Sequence, residues 1–172
     1  MSIAAAVTDR VERAWRALDD VLDPEVPVLS VRDLGIVRDV HDHGDALEVI
    51  VTPTYSGCPA TEVIARSIID ALASDGLGPV RVVMQRAPAW TSDWISAAGR
   101  EKLHAYGIVP PGPAAHDGAV PIRIVPRAVK PLACPHCESL DTERIAAFGA
   151  TACKALWRCR ACGEPFEHFK PI

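Results

Sequence analysis

The chain has 172 residues, 49% of them hydrophobic and 23% charged, with a net charge of −4. That composition excludes wholesale disorder, and an acidic balance without a broad basic surface argues against nucleic acid as the partner. The length allows one ordinary domain plus a small module.

No apolar run reaches the roughly 18 residues of a membrane span. The start, MSIAAAVTDRVERAW, lacks the basic region and long apolar stretch of a signal peptide. A cytoplasmic protein is the expectation, and six cysteines there point to metal or thiol chemistry before disulfides.

In chain order, residues 8–22 predict an amphipathic helix. Val11, Ala14, Trp15, Leu18 and Leu22 fall at helical spacing, and Asp9 with Glu12 reads as a capping pair. DPEVP at 23–27 ends it, because a proline disfavours helix at the residue before it. The β-branched runs 35–41 and 46–52 flank DHGD and predict a hairpin. A second helix is expected from Pro59 to Ser74, with proline at the first helical position. Its apolar stripe is Val63, Ile64, Ile68, Ala71 and Leu72, and Gly76 or Gly78 stops it. VRVVMQR, 80–86, reads as a third strand, parallel to the second through a right-handed crossover. A third helix is expected over 92–106.

The fold class is therefore α/β (α+β): three helices on a short mixed sheet of about three strands, over residues 1–112. The stretch VPPGPAAHDGAVP reads as an extended arm, with a Pro/Gly-rich linker over 113–130. Residues 131–172 form a separate module.

That module carries two C-x-x-C pairs, Cys134/Cys137 and Cys159/Cys162, with 21 residues between them. Two thiolates on a tight turn can take two corners of a tetrahedron, and a second turn supplies the other two. The interval suits a β-hairpin, with TERIAAFGA and KALWRCRACGEPFEHF as its strands. Structural Zn2+ is the leading reading. An iron or iron–sulfur site and a redox pair are the alternatives, since soft thiolates also suit iron. So small a module buries too little apolar surface to fold without metal. Five Lys/Arg balance five Asp/Glu from Pro131 onward, which speaks against a nucleic-acid-binding ribbon. Cys153 lies six residues before Cys159, on the same strand face. It reads as a core thiol or as an additional ligand in a metal handoff. His136 and His168 read as surface residues.

Cys58, in TPTYSGCPATEVI, stands apart from these five cysteines. At the N-cap of the second helix the dipole and free N–H groups favour an anion, which lowers a thiol's pKa. The alternatives are a nucleophilic or metal-binding thiolate and a buried, inert cysteine. Asp23 and Glu25 of DPE either support such a site or are solvated. His41 and His43 sit at the hairpin tip as exposed turn residues. There is no G-x-S-x-G, P-loop or dinucleotide fingerprint.

Three stretches carry a resemblance. LDDVLDPEVPVLSVRDLGIVRDV and VTPTYSGCPATEVI resemble the small domain of SufT-like iron–sulfur assembly proteins. APAWTSDWISAAGREKLHAYGIVPP, together with the tail FGATACKALWRCRACGEPFEHFKPI, resembles the PaaD (PaaJ) family of accessory subunits of the phenylacetyl-CoA ring epoxidase. The resemblance implies a non-enzymatic role in assembling or inserting an iron–sulfur cofactor. It sets this within a diiron oxygenase system served by a flavin and [2Fe–2S] reductase, the implied partner. It places the reactive thiol on Cys58, the acidic motif on Asp23, Pro24 and Glu25, and the cysteine cluster on Cys134, Cys137, Cys153, Cys159 and Cys162. The chain ends in FKPI, without the further cysteine of some relatives. A stoichiometric structural subunit and a thiol enzyme using Cys58 remain as other readings, and a homodimer is compatible with any of them. No nucleic-acid or membrane partner is expected.

Overall fold

The computed structural model describes residues 3–55, 57–114 and 131–172, with the side chains of 3–8 left out. It divides into two compact units, residues 1–90 with 94–99, and residues 91–93 with 100–172.

The first unit opens with helix α1, Ile3–Leu18. Ala14 and Leu18 are fully buried, four residues apart on one face. The helix begins earlier than the sequence suggests, so Asp9 is interior to it and caps nothing. It also ends earlier, and Leu22 is half exposed in an isolated bridge to Ser30. The hairpin forms as expected, β1 (Val37–Asp42) against β2 (Leu47–Val51), turning at Gly44 with φ +88°. Arg10 pins it by donating to the Asp42 carboxylate at 2.7 Å and to the carbonyls of Gly44 and Leu77.

Helix α2 spans Thr61–Ser74. It starts two residues later than expected, with Ala60 as the cap, so Pro59 lies outside it. Ile64, Ile68 and Leu72 make its buried stripe, while Val63 points to solvent. The helix ends in a left-handed Gly76 (φ +70°), with the Leu77 N–H donating to the Leu72 carbonyl at 2.9 Å. That wrap satisfies a terminal carbonyl and buries Leu77. Strand β3, Val80–Met84, pairs parallel to β2. The sheet is mixed, in the order β1-β2-β3, with β2 central. Leu47, Val49 and Val51 turn inward from β2 by strand alternation.

Residues 92–106 are not one helix. A 3-10 turn, Ser92–Trp94, precedes helix α3, Ala97–Ala105. Within the first unit the Ser96 hydroxyl accepts from the Gly99 N–H at 2.8 Å, so Ser96 caps α3. The same hydroxyl donates to Asp33. Trp90 is buried and donates its indole N–H to the Leu34 carbonyl at 2.9 Å. Gly35 has φ +65°, and a Cβ there would lie 2.6 Å from the Trp94 carbonyl oxygen. Only glycine meets both demands. The DLGI stretch is thus a socket into which Trp90, Trp94 and Ser96 fit.

The second unit is a four-stranded sheet in the order β4-β7-β6-β5. Its strands are β4 (Ile108–Val109), β5 (Thr142–Ala146), β6 (Lys154–Cys159) and β7 (Pro165–Phe169). Strand β4 falls where the sequence predicts the start of an arm, but it pairs parallel to β7. Pro111 is buried beyond it, and its carbonyl accepts from Arg100. Residues 100–114 therefore group with the C-terminal module, whereas the sequence predicts a first domain that runs to 112. From residue 115 the expected linker lies outside the described residues. No helix is long and apolar enough to cross a membrane among the described residues.

Candidate metal centre and thiol loop

Two tight turns build the metal centre, and their backbone wiring matches. In the first, the Cys134 N–H donates to the Ser139 carbonyl and the Glu138 N–H to the Cys134 carbonyl. In the second, the Cys159 N–H donates to the Glu164 carbonyl and the Gly163 N–H to the Cys159 carbonyl. The residue after each second cysteine is left-handed: Glu138 at φ 60° and Gly163 at φ 83°.

The sulfurs follow the same symmetry. Each accepts a backbone N–H from two residues on: His136 to Cys134, Ser139 to Cys137, Ala161 to Cys159 and Glu164 to Cys162. Such donors stabilise thiolate charge. All four sulfurs lie within 4.8 Å of one another. Cys134 and Cys162 are 3.8 Å apart and Cys137 and Cys159 are 3.6 Å apart. A tetrahedron with Zn–S bonds of about 2.3 Å has an edge of about 3.8 Å. None of the four is in a disulfide. The donor set and its spacing fit structural zinc, held by Cys134, Cys137, Cys159 and Cys162.

The crowding shows in the thiols' acidities. At Cys159 the Cys162 backbone N–H, opposed by burial and helped by the Cys162 and Cys137 side chains, lowers the thiol from 9.0 to about 7. At Cys137 the Ser139 N–H pulls down, but burial and the thiols of Cys159, Cys162 and Cys134 prevail and push it up to about 12. A metal must displace those protons, so its binding weakens as the pH falls.

Beneath the sulfurs, Cys134 and Cys159 pack with Ala155, Trp157 and Phe166. Trp157 stacks on Phe166 at 6.3 Å between ring centres. His168 meets the edge of Trp157 and is more covered than a surface residue, and burial, with Lys170 nearby, holds its pKa down. His136 is exposed. Cys153 is buried, but in the turn just before β6 and not on the strand the sequence predicts, 3.0 Å from the Thr151 hydroxyl. It stands outside the four-sulfur group.

Cys58 lies in the loop from the carboxyl end of β2 to α2. Gly57 before it is left-handed (φ +88°), and the Cys58 N–H donates to the Tyr55 carbonyl at 3.3 Å. The Thr61 N–H donates to the Cys58 carbonyl at 3.2 Å, so the cysteine precedes the helix cap and does not form it. It is half exposed, not a buried core thiol. At the end of β2 the Thr52 hydroxyl is buried with no hydrogen-bond partner among the described residues. Asp23 is buried and serves its own turn, its carboxylate accepting the N–H groups of Glu25 and Val26 at 2.9 and 2.7 Å. Glu25 is half buried. Sequence reasoning missed this capping role, although DPE is a turn signal.

Comparison with known proteins places both units. An iron–sulfur cluster assembly protein family matches residues 11–83, and the PaaD zinc beta ribbon domain matches residues 122–170. A protein of Escherichia coli (strain K12), named as one of the subunits of the 1,2-phenylacetyl-CoA epoxidase, is 44% identical over 170 residues. The match spans 99% of this chain and 98% of that one. The chain belongs to the PaaD family. The iron–sulfur protein maturation auxiliary factor YitW of Bacillus subtilis (strain 168) is 34% identical over 87 residues, 49% of this chain and 84% of its own. The crystal structure of a domain of unknown function, DUF59, from Bacillus anthracis shares the fold of part of this chain. It has a TM-score of 0.54 and 23% identity, covering 58% of this chain and 96% of that one. The ribbon's four cysteines all fall inside the PaaD ribbon match, and Cys58 falls inside the assembly-family match.

Proposed function

We propose that this protein is a non-enzymatic accessory factor that assembles or inserts an iron–sulfur or iron cofactor into the phenylacetyl-CoA ring-epoxidase system. The system's iron–sulfur flavin reductase is the client in this reading. One observation carries it: a single chain joins an iron–sulfur assembly domain to a PaaD zinc ribbon. The similarity to a maturation factor in the first unit supports the same role.

The residues divide the work. Cys58 sits on a turn at the carboxyl end of a central strand, where α/β sheets gather their ligands. Its half-exposed thiol takes up the cargo transiently, since a transfer thiol must be reachable. The four ribbon cysteines are committed to structural zinc. The ribbon then serves as the docking module, for Leu140, Ile145 and Phe148 are exposed on it by 63, 53 and 67%.

The test is co-expression of the reductase and epoxidase with a Cys58→Ser chain. A reductase with depleted cluster is expected. Full cluster content and a running pathway would remove Cys58 from the mechanism. A second reading, a stoichiometric structural component, draws on the same apolar ribbon surface. Co-purification with the epoxidase at a fixed ratio, undiminished by Cys58→Ser, would favour it.

A further inference from the structure

The outward face of the β1–β2 hairpin gathers two imidazoles and two carboxylates that neither thiol site uses. Asp39, His41 and His43 alternate along the chain and share that face. His41 stands opposite Glu48 in register, and the His43 N–H closes the hairpin on the Ala46 carbonyl at 3.0 Å. Nε2 of His41 lies 3.6 Å from Oδ2 of Asp39, and Nε2 of His43 lies 3.6 Å from Oε1 of Glu48. Both separations are too long for hydrogen bonds. Both are close to the edge, about 3.4 Å, of a tetrahedron whose metal–ligand bonds are about 2.1 Å.

The surroundings hold the carboxylate in place. Arg81 on β3 donates Nε to Oε2 of Glu48 at 2.9 Å, which leaves Oε1 turned toward His43. Neighbours that orient a ligating carboxylate act in this way. The imidazole rings stand 6.4 Å apart and tilted by 55°. The two pairs stand apart as they are, since among the described residues only the ribbon cysteines bring three or more donors within reach of one ion. A shared ion requires one ring to turn, and both side chains are about half exposed, which leaves room for it.

We propose that this hairpin face binds one divalent transition-metal cation, with His41, His43 and Glu48 as ligands and Asp39 beside them. Imidazole and carboxylate together favour zinc, nickel, copper or iron(II) over magnesium and calcium. The donor set is harder than the ribbon's four thiolates, so the two sites differ in what they hold most tightly. The site does not depend on the maturation role proposed above.

The experiment uses the full chain with its ribbon loaded with zinc, titrated with Ni2+ by calorimetry. One additional binding event is expected, with paramagnetic broadening of the His41 and His43 imidazole signals. His41→Ala is expected to weaken it by more than about tenfold, the lower range for losing a mere orienting neighbour. The double variant His41→Ala/His43→Ala is expected to abolish it, and Cys58→Ser to leave it unchanged. All these positions are exposed or half exposed, so folding is preserved. No event beyond the zinc-loaded ribbon, an event unchanged in the double variant, or one lost in Cys58→Ser would each overturn the site.

Discussion

In the ribbon, four sulfurs sit on two turns of matching wiring, whereas the loop after β2 holds one sulfur between a left-handed glycine and a proline. The ribbon's thiols are placed by one another. Two of them, Cys134 and Cys159, are built into the apolar core beneath. Such a centre is closed: its donors are all inside the chain, and its metal serves the fold. Cys58 has the opposite setting, partly exposed and not a member of the four-sulfur group. A thiol of that kind contributes little to folding and is available to something outside the chain. The difference is one of commitment, and substitution at each site should separate the two.

The largest effect is expected from Cys159→Ser. In small modules structural zinc supplies apparent folding free energy on the order of 10 kcal/mol, and the serine removes a buried ligand from the centre. Elemental analysis should find the zinc lost, and the amide signals of residues 131–172 should collapse to unfolded positions. Cys58→Ser should keep both the zinc and the signal dispersion. If Cys58→Ser also loses zinc, the two sites are not separate and the comparison fails.

Metal explains the ribbon's stability but not that of the first unit, which rests on shape. There Gly35→Ala is the sharper probe. It sets a Cβ at 2.6 Å from the Trp94 carbonyl and forces an L side chain into φ +65°. A left-handed residue costs about 1–2 kcal/mol and overpacking about 1–3 more. A loss of about 2–5 kcal/mol is therefore expected in denaturant unfolding of the first unit, with zinc content unchanged.

How legible each site was follows from the same contrast. The tetrathiolate could be read because its donors are local pairs at a telling spacing, and Cys134, Cys137, Cys159 and Cys162 do converge. The hairpin and the parallel β2–β3 pairing were legible from β-branched runs and turn residues. Helix limits were less so. Pro59 suits a first helical position, yet the chain spends Cys58 to Ala60 in a turn before α2 begins. Strand β4 was hidden because its partner among the described residues, β7, lies more than fifty residues away and two residues carry no period. The Gly35 socket was hidden for the same reason: its glycine reads as a turn, and only the tertiary fold brings Trp94 against it. Asp23 reads from the sequence as support for a thiol site, and the fold adds a role that the sequence reading did not give it: its Oδ1 closes a local turn.

A smaller effect is expected at Thr52, whose buried hydroxyl lacks a partner among the described residues at the end of β2. Burying such a group unpaired costs about 1–3 kcal/mol, so Thr52→Val, of similar shape, should stabilise the first unit by about 1 kcal/mol. Thermal unfolding measures it. A stabilised chain that also fails to deliver a cluster in co-expression would tie the hydroxyl to the Cys58 loop. An unstabilised one would show that the hydroxyl is satisfied in solution.

The smallest effect lies between the two turns of the ribbon itself. They share their hydrogen bonds, yet one carries Gly163 and the other Glu138 at the left-handed position. A non-glycine residue there costs about 1–2 kcal/mol. Glu138→Gly relieves that, while the glycine's freedom in the unfolded chain returns about 0.4–1 kcal/mol to the unfolded side. The net gain should be below about 1 kcal/mol, read as a slightly slower loss of zinc to a chelator. The reciprocal change, Gly163→Ala, should cost about 1 kcal/mol and speed that loss. Opposite signs for two substitutions at matching positions would show that the turns are energetically as well as geometrically equivalent. Equal signs would mean that the Glu138 side chain contributes something to its turn that the backbone wiring does not contain.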